Sequence, residues 1–153
     1  MMQERADVQR FVGVDVAKDE LVVCQGVDGA LSVVSNHADA IGSWLQTLPP
    51  DASIAMESTG RYHRLLATMA CQAGRDVYVL NARDVHFYAK ALGSRAKTDS
   101  VDARLIARYL AEHRARLHAW CGEGRDTLQL LVARRTQLAS QRASVAQVLK
   151  DGL

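Results

Sequence analysis

Three short β-rich runs follow one another between Phe11 and Asn36, before any helical pattern begins. Lys18-Asp19 separates the first run from the second, and Asp28-Gly29, a dipeptide typical of hairpin turns, separates the second from the third. Consecutive strands joined by such short turns pair antiparallel. The segment therefore predicts a three-strand antiparallel meander, and the rest of the chain must pack on or beside that sheet.

After the meander, helical and strand patterns alternate. Asn36 stands where it could cap a first helix, which ends at Pro49-Pro50. The patterns that follow are a strand at Ser53–Met56, an amphipathic helix at Tyr62–Ala73, a strand at Val77–Leu80, a short helix at Arg83–Leu92 and a helix from Thr98 to Leu110. Antiparallel strands followed by strands that alternate with helices predict an α/β fold with a mixed sheet between helices. The ribonuclease H-like fold has this order.

The last segment, from about Arg125 to Lys150, predicts one helix roughly 40 Å long, at ~1.5 Å per residue. Apolar residues recur in it at intervals of seven: Leu131, Leu138 and Val145. This spacing is typical of coiled coils, and the helix is longer than a small domain needs to cover its core. We therefore predict a globular domain at residues 8–120 and a long C-terminal helix at residues 121–153 that mediates dimerisation.

Composition narrows the class of protein. The chain of 153 residues is 48% hydrophobic and 24% charged, which suits one globular domain. Its three cysteines lack the paired spacing of a disulfide framework or a structural zinc site, and no segment resembles a membrane span or a signal peptide. We therefore expect a cytoplasmic protein.

Charge is distributed unevenly along the chain. Residues 1–80 carry 6 Lys and Arg against 10 Asp and Glu, whereas residues 81–153 carry 13 against 7. The basic half could face an anionic polymer, although a solvated helical surface would explain the same excess.

Four carboxylates stand where chemistry could use them. Asp15 interrupts the apolar run FVGVDVA, and Glu57 directly follows the strand SIAM, at the edge where open α/β sheets bind ligands. Asp99 and Asp102 are three residues apart at the start of a predicted helix and would share one face of it. Each acid also has an ordinary interpretation: an exposed strand residue for Asp15, and helix-start acids for the others.

Together, the four acids favour a metal site. Carboxylates brought together raise one another's pKa unless divalent cations neutralise them. Two Mg²⁺ ions held by such a group clamp the attacking and leaving oxygens of phosphoryl transfer. Arg95, Lys97 and Arg104 lie around the last two acids and are candidates for holding a nucleic-acid backbone, with solvated surface charge as the alternative.

Three phrases, GVDVAK around Asp15, MESTGRYH around Glu57 and AKTDSVDARLIARYL around Asp99 and Asp102, together resemble the DEDD transposases of the one-ten family of bacterial insertion sequences, with the related Piv DNA invertases. The resemblance implies a RuvC-like ribonuclease H fold and divalent metal, Mg²⁺ or Mn²⁺, at these four acids. It also implies DNA as substrate, cleavage and joining of DNA strands, self-association through the long helix and a nucleoid-associated location. Because the family is tied to an element-encoded guide RNA, RNA is a further implied partner.

Family members are longer, and the part after the long helix carries a second domain with a serine thought to act as nucleophile. This chain stops at Leu153, so we expect it to hold the acid half only and to be incomplete for transposition by itself. Two other functions remain open. One is a non-catalytic nucleic-acid-binding or assembly module. The other is an ATPase of the actin and sugar-kinase type, which is disfavoured because Val16, Ala17 and Lys18 replace the glycines of a phosphate loop.

Overall fold

The computed structural model describes residues 9–58, 60–93, 102–120 and 122–152. These residues fall into two units, one that ends at Trp120 and one that begins at Cys121. The first unit contains the sheet and most of the helices, and the second contains one long helix.

The first three strands form the predicted meander. β1 (Phe11–Val16) pairs antiparallel with β2 (Glu20–Gln25), and β2 pairs antiparallel with β3 (Leu31–Ser35). Asp28, in the turn between β2 and β3, adopts a left-handed φ of 63°, a conformation that Asp tolerates better than most residues. The turn signal in the sequence therefore corresponds to a real hairpin.

The two remaining strands run in the opposite sense to β2. β4 (Ser53–Glu57) pairs parallel with β1, and β5 (Asp76–Leu80) pairs parallel with β4, which gives the sheet order β3-β2-β1-β4-β5. The helices of this unit are α1 (Ala38–Thr47), α2 (Arg64–Gln72), α3 (Ala82–Ala91) and α4 (Ala103–His113), followed by a 3₁₀ turn at Arg114–Arg116. This is the ribonuclease H-like topology, so the predicted fold class is confirmed.

Helices cover both faces of the sheet. On one face, alternate residues of β1 and β4 pack against α1 and α2 in a core that includes Val12, Val14, Ile54, Met56, Ile41, Leu45 and Leu66. On the other face, Ala55 and Tyr78 pack against α3 and α4, with Val85, Ile106 and Leu110. Because β4 is buried on both faces, its sequence is a continuous apolar run that does not alternate.

Gly13 allows α4 to lie directly on β1. A Cβ atom at this position would overlap the carbonyl oxygen of Ala103 and would lie 3.0 Å from the Cα of Ala107. Glycine is therefore required by the close approach of two backbones. Since Ala103 is the first residue of α4, the start of this helix is held against β1.

The two borders of the sheet differ. At β5, the backbone amide of Trp120 donates a 2.7 Å hydrogen bond to the carbonyl oxygen of Val77, so the end of the first unit lies along that border. At β3, no described residue pairs with the outer edge, and Val33 there is 63% exposed. The sheet is therefore open on the β3 side of the described structure.

Three local predictions are wrong. The helix predicted from Thr98 begins at Ala103, because Asp102 is extended and its side chain accepts a hydrogen bond from the amide of Arg104 as an N-cap. Asn36 does not cap α1, whose N-cap is His37. The helix predicted from Tyr62 begins at Arg64, so Tyr62 precedes α2, and its side chain is exposed.

The second unit is α5 (Glu123–Asp151), a helix of 29 residues that is about 44 Å long. Large apolar side chains of α5 that the structure describes are exposed within this chain, at roughly 60% for Leu131, Leu138 and Val145. The predicted long C-terminal helix is confirmed. None of the helices in the described residues is long and apolar enough to span a membrane.

Candidate active site

Asp15 and Glu57 lie side by side at the carboxyl ends of adjacent parallel strands. β1 and β4 pair with a constant offset, from Phe11 opposite Ser53 to Val14 opposite Met56. One further step along the same offset brings Asp15 beside Glu57. Neighbours in register on parallel strands project to the same face of a sheet, so both carboxylates lie on the face that α3 and α4 cover.

Asp102 is added to this pair by α4. It is the N-cap of the helix, and the next residue, Ala103, contacts the backbone of β1 at Gly13. Gly13 and Asp15 are two residues apart on one strand and therefore share a face. The close approach at Gly13 thus brings the start of α4, with its carboxylate, to the face that carries Asp15.

The electrostatics of Asp15 agree with this placement. Burial raises the pKa of its carboxyl above the usual value, and the negative charge of Asp102 raises it further. Both causes disfavour the ionised form. Asp15 is therefore a carboxylate whose charge is not compensated by its described surroundings.

Glu57 is in a similar state. Burial raises the pKa of its carboxyl, and the charge of Asp15 raises it further, whereas the nearby imidazole of His86 acts in the opposite direction. His86 lies on α3, which begins just after β5, and Leu80 of β5 is the register partner of Glu57. This histidine therefore belongs to the surroundings of the acids.

Asp15 and Glu57 lack partners among the described residues that would explain them as structural groups. Neither Asp15 nor Glu57 makes an ion pair or a side-chain hydrogen bond with the described residues. Asp102 uses one carboxylate oxygen as a helix cap, and its other oxygen lies 4.0 Å from the guanidinium of Arg104. Carboxylate oxygens are hard donors, and they are the ligands that Mg²⁺ and Mn²⁺ prefer.

The described part of the chain does not by itself assemble a finished metal-binding group. Among these residues, no three His, Cys, Asp or Glu side chains are grouped so that they could hold an ion. The predicted fourth acid, Asp99, lies outside the described residues, as do Arg95 and Lys97. By their chemistry, the carboxylates of Asp15, Glu57 and Asp102 are ligands that suit a divalent ion, and they are the predicted acids that the structure describes.

Of the predicted nucleic-acid-binding residues, Arg104 is described. It lies in the first turn of α4, two residues after Asp102, and about half of its side chain is exposed. The guanidinium of Arg104 is therefore accessible to solvent near Asp102. Its position is thus compatible with contact to an anionic ligand.

Asn36 joins the loops that follow the two acid-bearing strands. Its side-chain amide donates to the carbonyl oxygen of Ala17, after β1, at 2.8 Å and to that of Tyr62, after β4, at 3.2 Å. Its backbone amide also donates to the carbonyl oxygen of Asp19 at 2.9 Å. One residue thus links the chain just beyond Asp15 to the chain just beyond Glu57.

Sequence reasoning missed two contributors to this region, Gly13 and Asn36, and left a third open. Gly13 carries no chemistry, and Asn36 has the sequence context of a helix cap. His86 lies near a predicted helix start from which it could approach the acids, although a lone histidine is more often a surface or capping residue. The one available signal was Gly13 itself, which stands two residues before Asp15 in an otherwise apolar strand. Nothing local in the sequence indicates the contacts of His86 or Asn36.

Comparisons with known proteins agree on one group. A family model described as Transposase, of the DEDD and IS110 type, matches residues 12–153. Pilin gene-inverting proteins from Moraxella lacunata and Moraxella bovis are 33% and 32% identical to the chain over 110 residues. These matches cover 67% of this chain and 34% of each relative, so the chain spans about a third of their length.

The comparison with solved structures found similar chains. The Thermus thermophilus RuvC structure matches with a TM-score of 0.45 and 16% sequence identity, and the match covers 71% of this chain and 98% of that one.

Proposed function

Because this chain belongs to the DEDD transposase family of the IS110 type, we propose that it supplies the catalytic domain of a DNA recombinase. The reaction is metal-dependent cleavage of DNA phosphodiester bonds followed by strand transfer. In this proposal, residues 8–120 form the catalytic domain and residues 121–153 form an assembly helix. DNA is the substrate and an element-encoded guide RNA is a further partner.

The observation that carries this proposal is the convergence of acids from distant parts of the chain. Asp15 and Glu57 lie on the adjacent parallel strands β1 and β4, and the contact of α4 with Gly13 brings Asp102 to the face that carries Asp15. Charge repulsion and burial raise the pKa of Asp15 and of Glu57. Such an arrangement costs stability, which is characteristic of functional sites.

Asp15, Glu57, Asp99 and Asp102 are the residues that would hold two Mg²⁺ or Mn²⁺ ions. When bound, the ions would stabilise the negative charge on the attacking and leaving oxygens at phosphorus. The protein's part is to hold the carboxylates at one edge of a rigid sheet, with Asp15 and Glu57 fixed by strand pairing and Asp102 fixed by a helix cap. Arg95, Lys97 and Arg104 would hold the DNA backbone beside them.

The second part of the proposal is that the chain self-associates through the assembly helix, α5. The apolar residues of α5 that recur every seven positions are exposed in the single chain, which is costly unless another helix covers them. Self-association of α5 would bury them and would bring two acid sites into one complex. The expected partner is thus a second copy of this chain.

Metal-linked thermal stability tests the acid site. Addition of Mg²⁺ or Mn²⁺ raises the melting temperature of the chain by several degrees, because an ion that binds only the folded state stabilises it by about 2.7 kcal/mol at 100 times its Kd. Asp15→Asn abolishes this increase. Asp28→Asn is the matched control, since Asp28 lies in the β2–β3 turn, at the opposite edge of the sheet, and Asn tolerates its positive φ.

Two results would contradict the proposal. A metal effect that is equal in the wild-type chain and in Asp15→Asn would place binding elsewhere. Absence of any metal effect, combined with salt-sensitive DNA association that ignores Asp15→Asn, would favour the non-catalytic binding module instead.

A further inference from the structure

Two exposed aromatic rings near the acids each carry an arginine. The Cζ atom of Arg83 lies 5.5 Å from the ring centroid of Phe87 on α3, and that of Arg61 lies 5.9 Å from the ring of Tyr62. Phe87 is 57% exposed and Tyr62 is 39% exposed, so neither ring is part of the core. A flat apolar surface and a positive charge are therefore presented together at two places.

Both pairs lie at the edge of the sheet that holds the acids. Arg61 and Tyr62 are in the loop that follows β4, within five residues of Glu57. Arg83 is three residues beyond Leu80, the register partner of Glu57, and Phe87 is one helical turn further along α3, about 6 Å away. The two pairs thus belong to the segments that follow neighbouring strands.

His86 connects the second pair to the acid site. It precedes Phe87 on α3, and its imidazole acts electrostatically on Glu57. Val85, on the same helix, is fully buried in the core, so the orientation of α3 is fixed by packing. The Arg83–Phe87 pair therefore lies on a packed helix, in the same turn as the histidine that acts on Glu57.

The charge of this region favours an anionic ligand with planar groups. Residues 60–92 carry 5 Lys and Arg against 2 Asp and Glu, in contrast with the acids at the strand ends. An acidic peptide would satisfy the cations but would leave the rings without a matching surface. A nucleic-acid strand supplies both, because its phosphates pair with arginine and its bases stack on aromatic rings.

We propose that the Arg83–Phe87 and Arg61–Tyr62 pairs form a stacking rim that holds unpaired nucleotides of a DNA strand on either side of the phosphate at the acids. This inference rests on the proposed function, since it names how the same site holds its substrate. Phe87 and Tyr62 each stack on one base, and the two arginines contact the adjacent phosphates. The rim is thus specific for single-stranded segments, because a base within a duplex does not offer its face.

The test is binding of a single-stranded DNA oligonucleotide to the full 153-residue chain, in EDTA, by fluorescence anisotropy. Phe87→Ala weakens Kd roughly tenfold, as expected for the loss of one stacked base, whereas Phe87→Tyr retains affinity. Arg83→Gln also weakens binding, because it removes a cation that contacts a phosphate. Val33→Ala is the control for an exposed apolar residue, and Arg10→Gln is the control for Arg83→Gln, because Arg10 precedes β1 at the opposite edge. Both controls stay within about twofold of wild type.

A second measurement reports stacking directly. An oligonucleotide that contains 5-iododeoxyuridine is crosslinked to the chain by light, and the site is mapped by mass spectrometry. Crosslinks at Phe87 or Tyr62 support the rim. Crosslinks confined to α5, a Phe87→Ala affinity equal to wild type, or a wild-type Kd weaker than about 0.1 mM, the weak limit of non-specific binding, would each overturn it.

This outcome is separable from the proposed function. Loss of metal-linked stabilisation in Asp15→Asn concerns the acids and is measured without DNA, whereas strand binding is measured without metal. If the rim fails while the metal test succeeds, the acids act on a strand held by other residues. If the metal test fails while Phe87→Ala weakens binding, the chain binds single strands without the proposed chemistry.

Discussion

A Cβ atom added at Gly13 would overlap the carbonyl oxygen of Ala103, so the first turn of α4 is in direct contact with the backbone of β1. This contact fixes the distance between a strand that carries Asp15 and a helix that is capped by Asp102. Gly13 thus determines where Asp102, a candidate catalytic residue from a distant part of the sequence, is placed.

Gly13→Ala is predicted to destabilise the domain by about 3 kcal/mol or more, because backbone atoms on both sides of the contact cannot move independently of their strand and helix. Urea unfolding measures the change. Gly42→Ala is the matched control, since its Cβ would meet only the Cε of Met69 at 3.7 Å and alanine is favoured within α1. It should be neutral or stabilising, and equal destabilisation by both variants would contradict the interpretation.

Asp15→Asn is predicted to raise the melting temperature in EDTA by a few degrees. The substitution removes a charge that burial and Asp102 both disfavour, and it keeps the size of the side chain. Differential scanning calorimetry of the metal-free chain measures the effect, with Asp28→Asn as the control in an exposed turn. A lower melting temperature for Asp15→Asn would mean that the ionised carboxylate has a stabilising partner.

Asn36→Ala is predicted to loosen the two loops that follow the acid-bearing strands. Loss of its bonds to the carbonyl oxygens of Ala17 and Tyr62 should cost about 1–2 kcal/mol and speed amide hydrogen exchange in both loops. The control is His37→Ala, because the side chain of His37 makes no capping bond to α1. Exchange that rises uniformly over the sheet in Asn36→Ala would indicate a general loss of stability instead.

Leu138→Lys is predicted to shift the chain from a self-associated form to a monomer. Leu138 lies in the middle of the seven-residue apolar repeat of α5 and is 58% exposed in the single chain. Light scattering after size exclusion, over a range of protein concentrations, gives the molar mass. Ser140→Lys places the same charge on the opposite side of the helix and should leave the mass unchanged. A monomeric wild-type chain would refute self-association through α5.

Much of the fold was predictable because its signals are local. The Asp28-Gly29 turn, the apolar run before Glu57 and the Pro49-Pro50 stop each depend on neighbouring residues. The same holds for α5, whose repeat extends over several turns. The start of α4 was misjudged because Asp102 suits a first helical turn and an N-cap equally well by sequence.

The arrangement of the candidate site was only partly predictable. Asp15 and Glu57 could be singled out because each is a carboxylate at an apolar strand. Sequence alone contains no register, so their adjacency depends on strand pairing between residues that are 42 positions apart. The bonds of Asn36 extend over 19 and 26 residues, and its sequence context indicates only a cap.

The difference between the two edge strands of the sheet also affects how the protein can aggregate. The β5 border is occupied by the backbone at Trp120, whereas β3 presents exposed residues such as Val33 along an edge that no described residue pairs with. Lateral growth into fibrils or amorphous precipitate would therefore start from β3. A lysine at residue 33 would act as a gatekeeper against such templating and would leave the acids and their helix untouched.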